Sequence, residues 1–159
     1  MLELASGPSS ALVEFAARGR SVTAIDVSDA ALRRLEQLAM RRDVLARLSL
    51  VHADLGAWRA DGPNYALVVC RYFWDPAVFL EACRAVAPGG LILWEAPVAA
   101  GRSHVRASWC LAPGEPAALL PPDFHVLRAD DLPQRNAHGM ETARRMIARR
   151  ELVRPKDRE

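Results

Sequence analysis

The residues best suited to chemistry lie near the start of the chain, where a turn of small residues precedes an isolated carboxylate. The turn Ala5–Ser10 (ASGPSS) carries little side-chain bulk, so its backbone N–H groups can approach a ligand closely. Asp26 ends the next apolar segment, and a carboxylate there can accept hydrogen bonds from a ribose diol. The turn and Asp26 together predict a nucleoside-binding cleft.

Spacing within the turn leaves a second interpretation open. A dinucleotide fingerprint has three glycines, spaced G-x-G-x-x-G. At the corresponding positions this chain has Ala5, Gly7 and Ser10, and so keeps one of the three. A small-residue turn between a strand and a helix also occurs without any ligand. The rest of the sequence must therefore decide between a nucleotide site and a purely structural turn.

Two strands and a helix must position these residues. The apolar segments Met1–Leu4 and Val22–Ile25 predict strands, and the periodic segment Ala11–Arg18 between them predicts a helix. In parallel strands the carboxyl ends share one edge of the sheet, which would bring the turn and Asp26 together.

Composition excludes several classes of protein. The chain has 159 residues, of which 51% are hydrophobic and 25% charged, as in one globular domain. A net charge of +2 gives no argument for an obligatory nucleic-acid partner. No apolar run reaches the roughly 20 residues of a membrane span, and no secretion signal precedes the first strand. We therefore expect a cytoplasmic protein without a membrane partner.

Cysteine and histidine positions predict no metal site. Cys70, Cys83 and Cys110 are odd in number and lack metal-ligand spacing, which favours buried, reduced thiols. The four histidines show no paired spacing either.

The middle of the chain predicts alternating strands and helices. The predicted strands are Leu48–Ala53, followed by Asp54, then Tyr65–Cys70 and Leu91–Trp94. A helix starting at Ser28 and a helix starting at Asp75-Pro76 lie among them, the second running through Val86 until Pro88-Gly89-Gly90 stops it. Strands alternating with helices predict an α/β fold, a three-layer sandwich around a mostly parallel sheet.

The last third is less regular. Residues 98–112 show no clean period and predict a long loop, and Glu115–Leu120 predicts a short helix. Phe124–Ala129 is strand-like, whereas the Ala, Met and Arg content of Thr142–Arg150 favours a helix by propensity. We expect one domain over residues 1–153 and a frayed tail over 154–159.

Four segments in order, LELASGPSS, VTAIDVS, HADL and APGGLILWE, resemble motifs of the class I S-adenosylmethionine-dependent methyltransferases. Two later segments, CRYFWDP and WCLAPGEPAALLPPDFHVLRADD, are similar to the small tellurite-resistance-like bacterial branch of that family. The resemblance implies a Rossmann-like sheet whose last strand, Thr142–Arg150, forms an antiparallel hairpin with Phe124–Ala129. It also implies S-adenosyl-L-methionine as cofactor.

The resemblance implies a role for particular residues. Glu3 holds the acidic position of the first motif, Gly7 is retained, and Ala5 and Ser9 stand where glycines are usual. Asp26 would bind the ribose hydroxyls. The resemblance thus predicts a set of cofactor-binding residues: Glu3, Ala5, Gly7, Asp26, Val27, Asp54, Leu55 and Arg71, with Asp54 and the Leu55 amide at the adenine.

Residues after the fourth strand are candidates for contact with the methyl acceptor. Arg71 and Tyr72 could orient an anionic acceptor or act in proton transfer, and Trp74 and Trp109 could line its pocket. The alternatives are an Arg71 ion pair with a surface carboxylate, a core position for Tyr72, and core positions for both tryptophans. Cys70 is expected to be structural.

The predicted activity is methyl transfer to a small-molecule acceptor. The segment after strand four lacks the N-P-P-Y type sequence of many enzymes that methylate nucleic-acid or protein amino groups. Family members usually carry a helical segment before strand one that this sequence lacks. Either the start at Met1 is misassigned, or the cleft is unusually open, or another chain, such as a second copy, supplies the lid. The alternatives are an NAD(P)-binding oxidoreductase and a non-catalytic relative acting as a binding module.

Overall fold

Seven strands form one mixed sheet in the computed structural model, which describes residues 1–98, 107–136 and 139–152. The strands are β1 (Leu2–Leu4), β2 (Val22–Asp26), β3 (Leu48–His52), β4 (Tyr65–Arg71), β5 (Val86–Pro97), β6 (Phe124–Asn136) and β7 (Gly139–Arg150). Their order is β3-β2-β1-β4-β5-β7-β6, in which β1 to β5 run parallel and β7 runs antiparallel to both of its neighbours. The expected α/β class and C-terminal hairpin are confirmed.

Within the described ranges, three α-helices cover the sheet unequally. They are α1 (Ser10–Ala17), α2 (Asp29–Arg41) and α3 (Pro76–Ala85). Apolar residues of α1 and α2 pack with the β2 side chains Val22 and Ala24, whereas α3 packs in a second cluster with β1, β4 and β5 side chains. Because side chains alternate between the two faces of a strand, these clusters lie on opposite faces, which we name the α1 face and the α3 face.

The described residues cover the α1 face incompletely over β4, β5 and β7. On the α3 face the paired residues Trp94 and Met146 are fully buried. On the α1 face their neighbours Leu93 and Ile147, which are also paired, are only half-buried. The sheet therefore has a partly open apolar surface beside α1.

The third helix ends earlier than the sequence predicts. It stops at Ala85, and Val86 already pairs with Tyr65 in the sheet, so the prediction that the helix runs through Val86 is wrong. A residue that precedes proline avoids helical geometry, which disfavours helix at Ala87 before Pro88. The strand β5 consequently begins five residues before the predicted Leu91 and includes the Pro88-Gly89-Gly90 segment.

The chain forms β7 against its helix propensity. Helix propensities differ by only a few tenths of a kcal/mol per residue, and β7 pairs on both sides while burying Met146 and Ala148 completely. Tertiary pairing and burial therefore outweigh local preference. The other C-terminal predictions are shifted: the short helix is a 3₁₀ turn at Ala117–Leu119, and β6 extends to Asn136.

Two further predictions fall partly or wholly on residues outside the described ranges. Within the predicted long loop, the described part contains a 3₁₀ turn at Ala107–Trp109 and a bridge between Val98 and Leu111. Residues 99–106 of that loop and all of the predicted tail, 154–159, lie outside the described ranges.

The start of α3 gives a stability prediction. The Asp75 carboxylate accepts hydrogen bonds from the backbone N–H groups of Ala77 and Val78, at 2.8 and 3.0 Å. We expect Asp75→Ala to lower the free energy of unfolding by about 1 kcal/mol, because two helix-terminal donors lose their acceptor. Urea unfolding measures this change. Asp61→Ala, which removes an exposed loop carboxylate, should change stability little; equal effects of the two variants would contradict the capping role.

Candidate active site

The carboxylate of Asp26 joins two turns at the carboxyl edge of the sheet. Its Oδ2 accepts a hydrogen bond from the Gly7 N–H and its Oδ1 accepts one from the Ser28 N–H, both at 2.7 Å. Asp26 is 8% exposed, so these are charge-assisted bonds in a partly dry environment. They fix the turn after β1 against the turn after β2, with β1 at the point where the sheet order changes direction.

The turn after β1 has an unusual backbone. Ala5 has φ +48° and Gly7 has φ +53°, both in the left-handed region. For alanine this conformation costs energy, and such outliers concentrate at ligand-binding sites. A Cβ added at Gly7 would meet no protein atom within 4 Å, so the turn presents open space to a ligand.

A recess of about 90 Å³ opens beside this turn. The residues that line it are Ala5, Asp26, Val27, Asp54, Leu55 and Phe73. Five of these six come from the set predicted to bind a cofactor, and the structure brings them together from the ends of β1, β2 and β3. Phe73 was missed, although it lies within the CRYFWDP segment; its aromatic type was the available signal.

Asp54 has a local role as well as a place in the recess. Its Oδ1 accepts a hydrogen bond from the Gly56 N–H at 2.8 Å and so caps the turn after β3. The adjacent Leu55 is 7% exposed and forms an apolar wall, whereas Val27 is 66% exposed at the rim. The recess thus combines carboxylates with apolar surfaces.

His52, which the sequence analysis did not single out, supports the rim. Its Nε2 lies 2.9 Å from the Val27 carbonyl oxygen, and it is the register partner of Asp26 across β2 and β3. A ring N–H directed at that oxygen would donate to it and hold the segment after β2 in place. Only its position at the end of β3 could have drawn attention to it.

Glu3 and Arg71 form a separate ion pair, in which the carboxylate is buried and the arginine is partly exposed. The Arg71 Nη2 donates to Glu3 Oε1 at 3.1 Å and to Ser9 Oγ at 3.4 Å. Glu3 is 2% exposed, and its Oε2 has no hydrogen-bond partner in the described structure. Burial raises the pKa of Glu3, while Ser9 and Arg71 act to lower it. Neither residue lines the recess; both line a second cavity of about 220 Å³ on the α1 face.

The first 90 residues of the chain identify its family. Residues 1–90, more than half of the chain, match the family described as "Methyltransferase domain". The chain belongs to this methyltransferase family. No curated protein sequence matches it significantly.

Solved structures show the same fold in distant methyltransferases. The chain is similar to TehB from Haemophilus influenzae, with 16% identity and a TM-score of 0.79, over 94% of this chain and 57% of that one. It is also similar to an S-adenosylmethionine-dependent methyltransferase from Methanosarcina mazei, with 16% identity and a TM-score of 0.72, over 95% and 92% of the two chains. A third, from Geobacter sulfurreducens and in complex with S-adenosyl-L-homocysteine, has 20% identity and a TM-score of 0.63 over 82% and 59%. At these identities the likeness establishes the fold.

The aromatic residues after β4 of the methyltransferase separate into two groups. Trp74 is 4% exposed and packs against Phe79 and Trp94, so it belongs to the core. Tyr72 is 62% exposed with φ +64°, and Trp109 is 55% exposed. The core alternative for Tyr72 is therefore wrong, as is that for Trp109.

The methyltransferase's cysteines are buried thiols. Burial raises the pKa of Cys70 well above its ordinary value and raises that of Cys83 to about 12, so both are protonated and inert near neutrality. Within residues 1–98, 107–136 and 139–152, no group of three or more potential ligands could hold a metal ion. None of the helices in those ranges is long and apolar enough to cross a membrane.

Glu3 gives a prediction about pH. Because burial raises its pKa, the folded protein holds this proton more tightly than the unfolded chain does. Its contribution to the free energy of unfolding is then largest below its ordinary pKa and falls as pH rises through the raised pKa. We expect neutral Glu3→Gln to be more stable than the parent at neutral pH, with the difference shrinking toward acid.

Urea unfolding between about pH 4 and pH 8 measures this difference, a range that spans the ordinary carboxyl pKa. Glu36→Gln removes a carboxylate on α2 and is the control; the same pH-dependent gain in both variants would contradict a specific effect of Glu3 burial. A gain from Glu3→Gln that grows toward acid would contradict the desolvation argument.

Proposed function

We propose that this methyltransferase transfers the methyl group of S-adenosyl-L-methionine to a small-molecule acceptor. The observation that carries the proposal is the Asp26 bridge: one carboxylate fixes the small-residue turn and stands in the wall of the recess beside it. Such a carboxylate is suited to the two hydroxyls of a ribose, because each of its oxygens can accept a second hydrogen bond.

The residues present fit the cofactor in three parts. The recess has apolar walls at Leu55 and Phe73 and the Asp54 carboxylate, which suit the faces and exocyclic amine of an adenine. Asp26 would take the ribose. The methionine end would then lie across the open turn at Gly7, toward Glu3, whose unpartnered Oε2 suits an ammonium group.

The protein's part in the reaction is positioning. The cofactor supplies an activated methyl group on a sulfonium, and the chain must align it with the acceptor and keep water away. Arg71 is held by Glu3 and Ser9 at the end of β4, between cofactor and acceptor, and could orient an anionic group of either. The exposed Tyr72 phenol is the candidate for a proton transfer there.

We further propose the branch of the family, the cellular location, the cover of the cleft and the class of acceptor. The segments CRYFWDP and WCLAPGEPAALLPPDFHVLRADD and the fold likeness to TehB support the tellurite-resistance-like branch. Buried thiols support a cytoplasmic location. The exposed rim at Val27 supports cover of the cleft by a second copy. A net charge of +2 supports a small-molecule acceptor and not an obligatory nucleic-acid partner.

Ligand-induced stabilisation tests the cofactor directly. S-adenosyl-L-homocysteine at about 100 times its dissociation constant should raise the free energy of unfolding by ~2.7 kcal/mol, because it binds only the folded state. Thermal unfolding with and without ligand measures the shift, and NADH at the same concentration is the matched control. Stabilisation by NADH alone would support an oxidoreductase. Stabilisation by neither ligand would support the remaining alternative, a non-catalytic relative that acts as a binding module.

The Asp26 bridge predicts that a change of its carboxylate weakens cofactor binding. Asp26→Asn replaces an acceptor oxygen with an N–H donor that faces a backbone N–H, so we expect S-adenosyl-L-homocysteine to bind more weakly by about 1–3 kcal/mol. Isothermal titration calorimetry measures the affinity. The control Asp29→Asn changes an exposed carboxylate on α2 that pairs with Arg33, and should bind normally. Unchanged affinity in Asp26→Asn would refute the ribose assignment.

A further inference from the structure

The second cavity lies where the α1 face is least covered. It has a volume of about 220 Å³ and is bounded by α1 and by strands β1, β4, β5 and β7. Most of its wall is apolar: Met1, Ala11, Phe15, Leu67, Val69 and Leu93. Its polar wall consists of Glu3 and two arginines, Arg71 and Arg145. The cavity can therefore receive an apolar body that carries a polar group.

The two arginines are held in the same way, each by a buried carboxylate. Arg71, Glu95 and Arg145 are register partners in one row across β4, β5 and β7. The guanidinium of Arg145 is bound through Nε to Glu95, which is 1% exposed, as Arg71 is bound through Nη2 to Glu3. A buried carboxylate behind each guanidinium fixes its orientation, since the fork of donors is rigid.

Both arginines retain donors toward the cavity. The side chains of Arg71 and Arg145 are 38% and 41% exposed, although each carboxylate partner is buried. In the described structure, no hydrogen bond is made by Nε or Nη1 of Arg71, or by either Nη of Arg145. Two arginines thus line one mostly apolar cavity, and each has N–H groups that no described residue accepts.

The row Arg71, Glu95 and Arg145 lies near the carboxyl ends of β4 and β5, at the same edge of the sheet as the proposed cofactor site. The recess lies at the ends of β1, β2 and β3, and Arg71 on β4 separates it from β5 and β7. Each guanidinium already pairs with one carboxylate, which leaves less positive charge for a ligand than two unpaired arginines would and favours a monoanion over a dianion. Apolar walls add a preference for an aliphatic or aromatic body.

We propose that this cavity is the acceptor subsite and that Arg145, fixed by Glu95, anchors the carboxylate of an amphiphilic monocarboxylate acceptor. The proposal rests on the methyltransferase function proposed above. Arg145 is a binding residue here, and Glu95 is a positioning residue that acts through it.

Binding of hexanoate tests the subsite, with hexanamide as the uncharged control of the same shape. Both are titrated by calorimetry into protein saturated with S-adenosyl-L-homocysteine. We expect hexanoate to bind at least about tenfold more tightly than hexanamide, since charge-assisted bonds to a guanidinium are among the strongest. Equal affinities, or no hexanoate binding, would overturn the proposal. Tighter binding of hexyl phosphate would overturn the choice of a carboxylate.

Variants of β7 locate the anchor. Arg145→Lys keeps a cation beside Glu95 but loses the fork, and we expect it to weaken hexanoate binding by about tenfold while the melting temperature and S-adenosyl-L-homocysteine affinity stay near parental values. Arg149→Gln is the matched control, an exposed arginine on the same face of the same strand. Loss of hexanoate affinity in Arg149→Gln, or none in Arg145→Lys, would contradict the assignment.

Competition separates this proposal from the cofactor assignment. If hexanoate displaces S-adenosyl-L-homocysteine, the cavity belongs to the methionine end of the cofactor and the acceptor subsite is refuted, while the methyltransferase function stands. If S-adenosyl-L-homocysteine itself does not bind, the proposed function fails, and the acceptor role fails with it even where hexanoate binds.

Discussion

One carboxylate, that of Asp26, organises the carboxyl edge of this sheet. It accepts backbone N–H groups from the turn after β1 and from the turn after β2, and both bonds are 2.7 Å long. Without an acceptor at that point, the Gly7 and Ser28 donors would lack these partners in a partly buried place, which costs about 1–3 kcal/mol per unmade bond. The recess exists because this bridge holds its two sides at a fixed separation.

A second feature, the uneven covering of the sheet, separates the site into two parts. The α3 face is closed by a continuous core in which Trp74, Phe79 and Trp94 pack edge-to-face or tilted. Among the described residues, the α1 face is packed over β2 and β3 and partly open over β1, β4, β5 and β7. The recess therefore forms where the sheet is covered, and the larger cavity forms beside it where cover is thin.

Much of the site was predictable because the ends of parallel strands must meet at one edge. Asp26, Asp54 and the small-residue turn each follow a predicted strand, so their approach needed only the strand order that the α/β pattern implies. Arg71 was assigned correctly to the same edge, but its partner is the buried Glu3 and not a surface carboxylate. Tyr72 was left between core and surface, because the sequence does not reveal a left-handed backbone at a non-glycine residue.

The sequence by itself determined the local features: the caps at Ser28 and Asp75, the small-residue turn, and the alternation of strands and helices. These depend on neighbours a few residues apart, whose side chains and backbone interact directly. Only the tertiary structure decided the end of α3 at Ala85, the pairing and burial that outweigh the helix propensity of β7, and the meeting of Glu95 with Arg145. Those outcomes depend on contacts between distant segments, where the free energy of pairing and burial exceeds the small differences in local propensity.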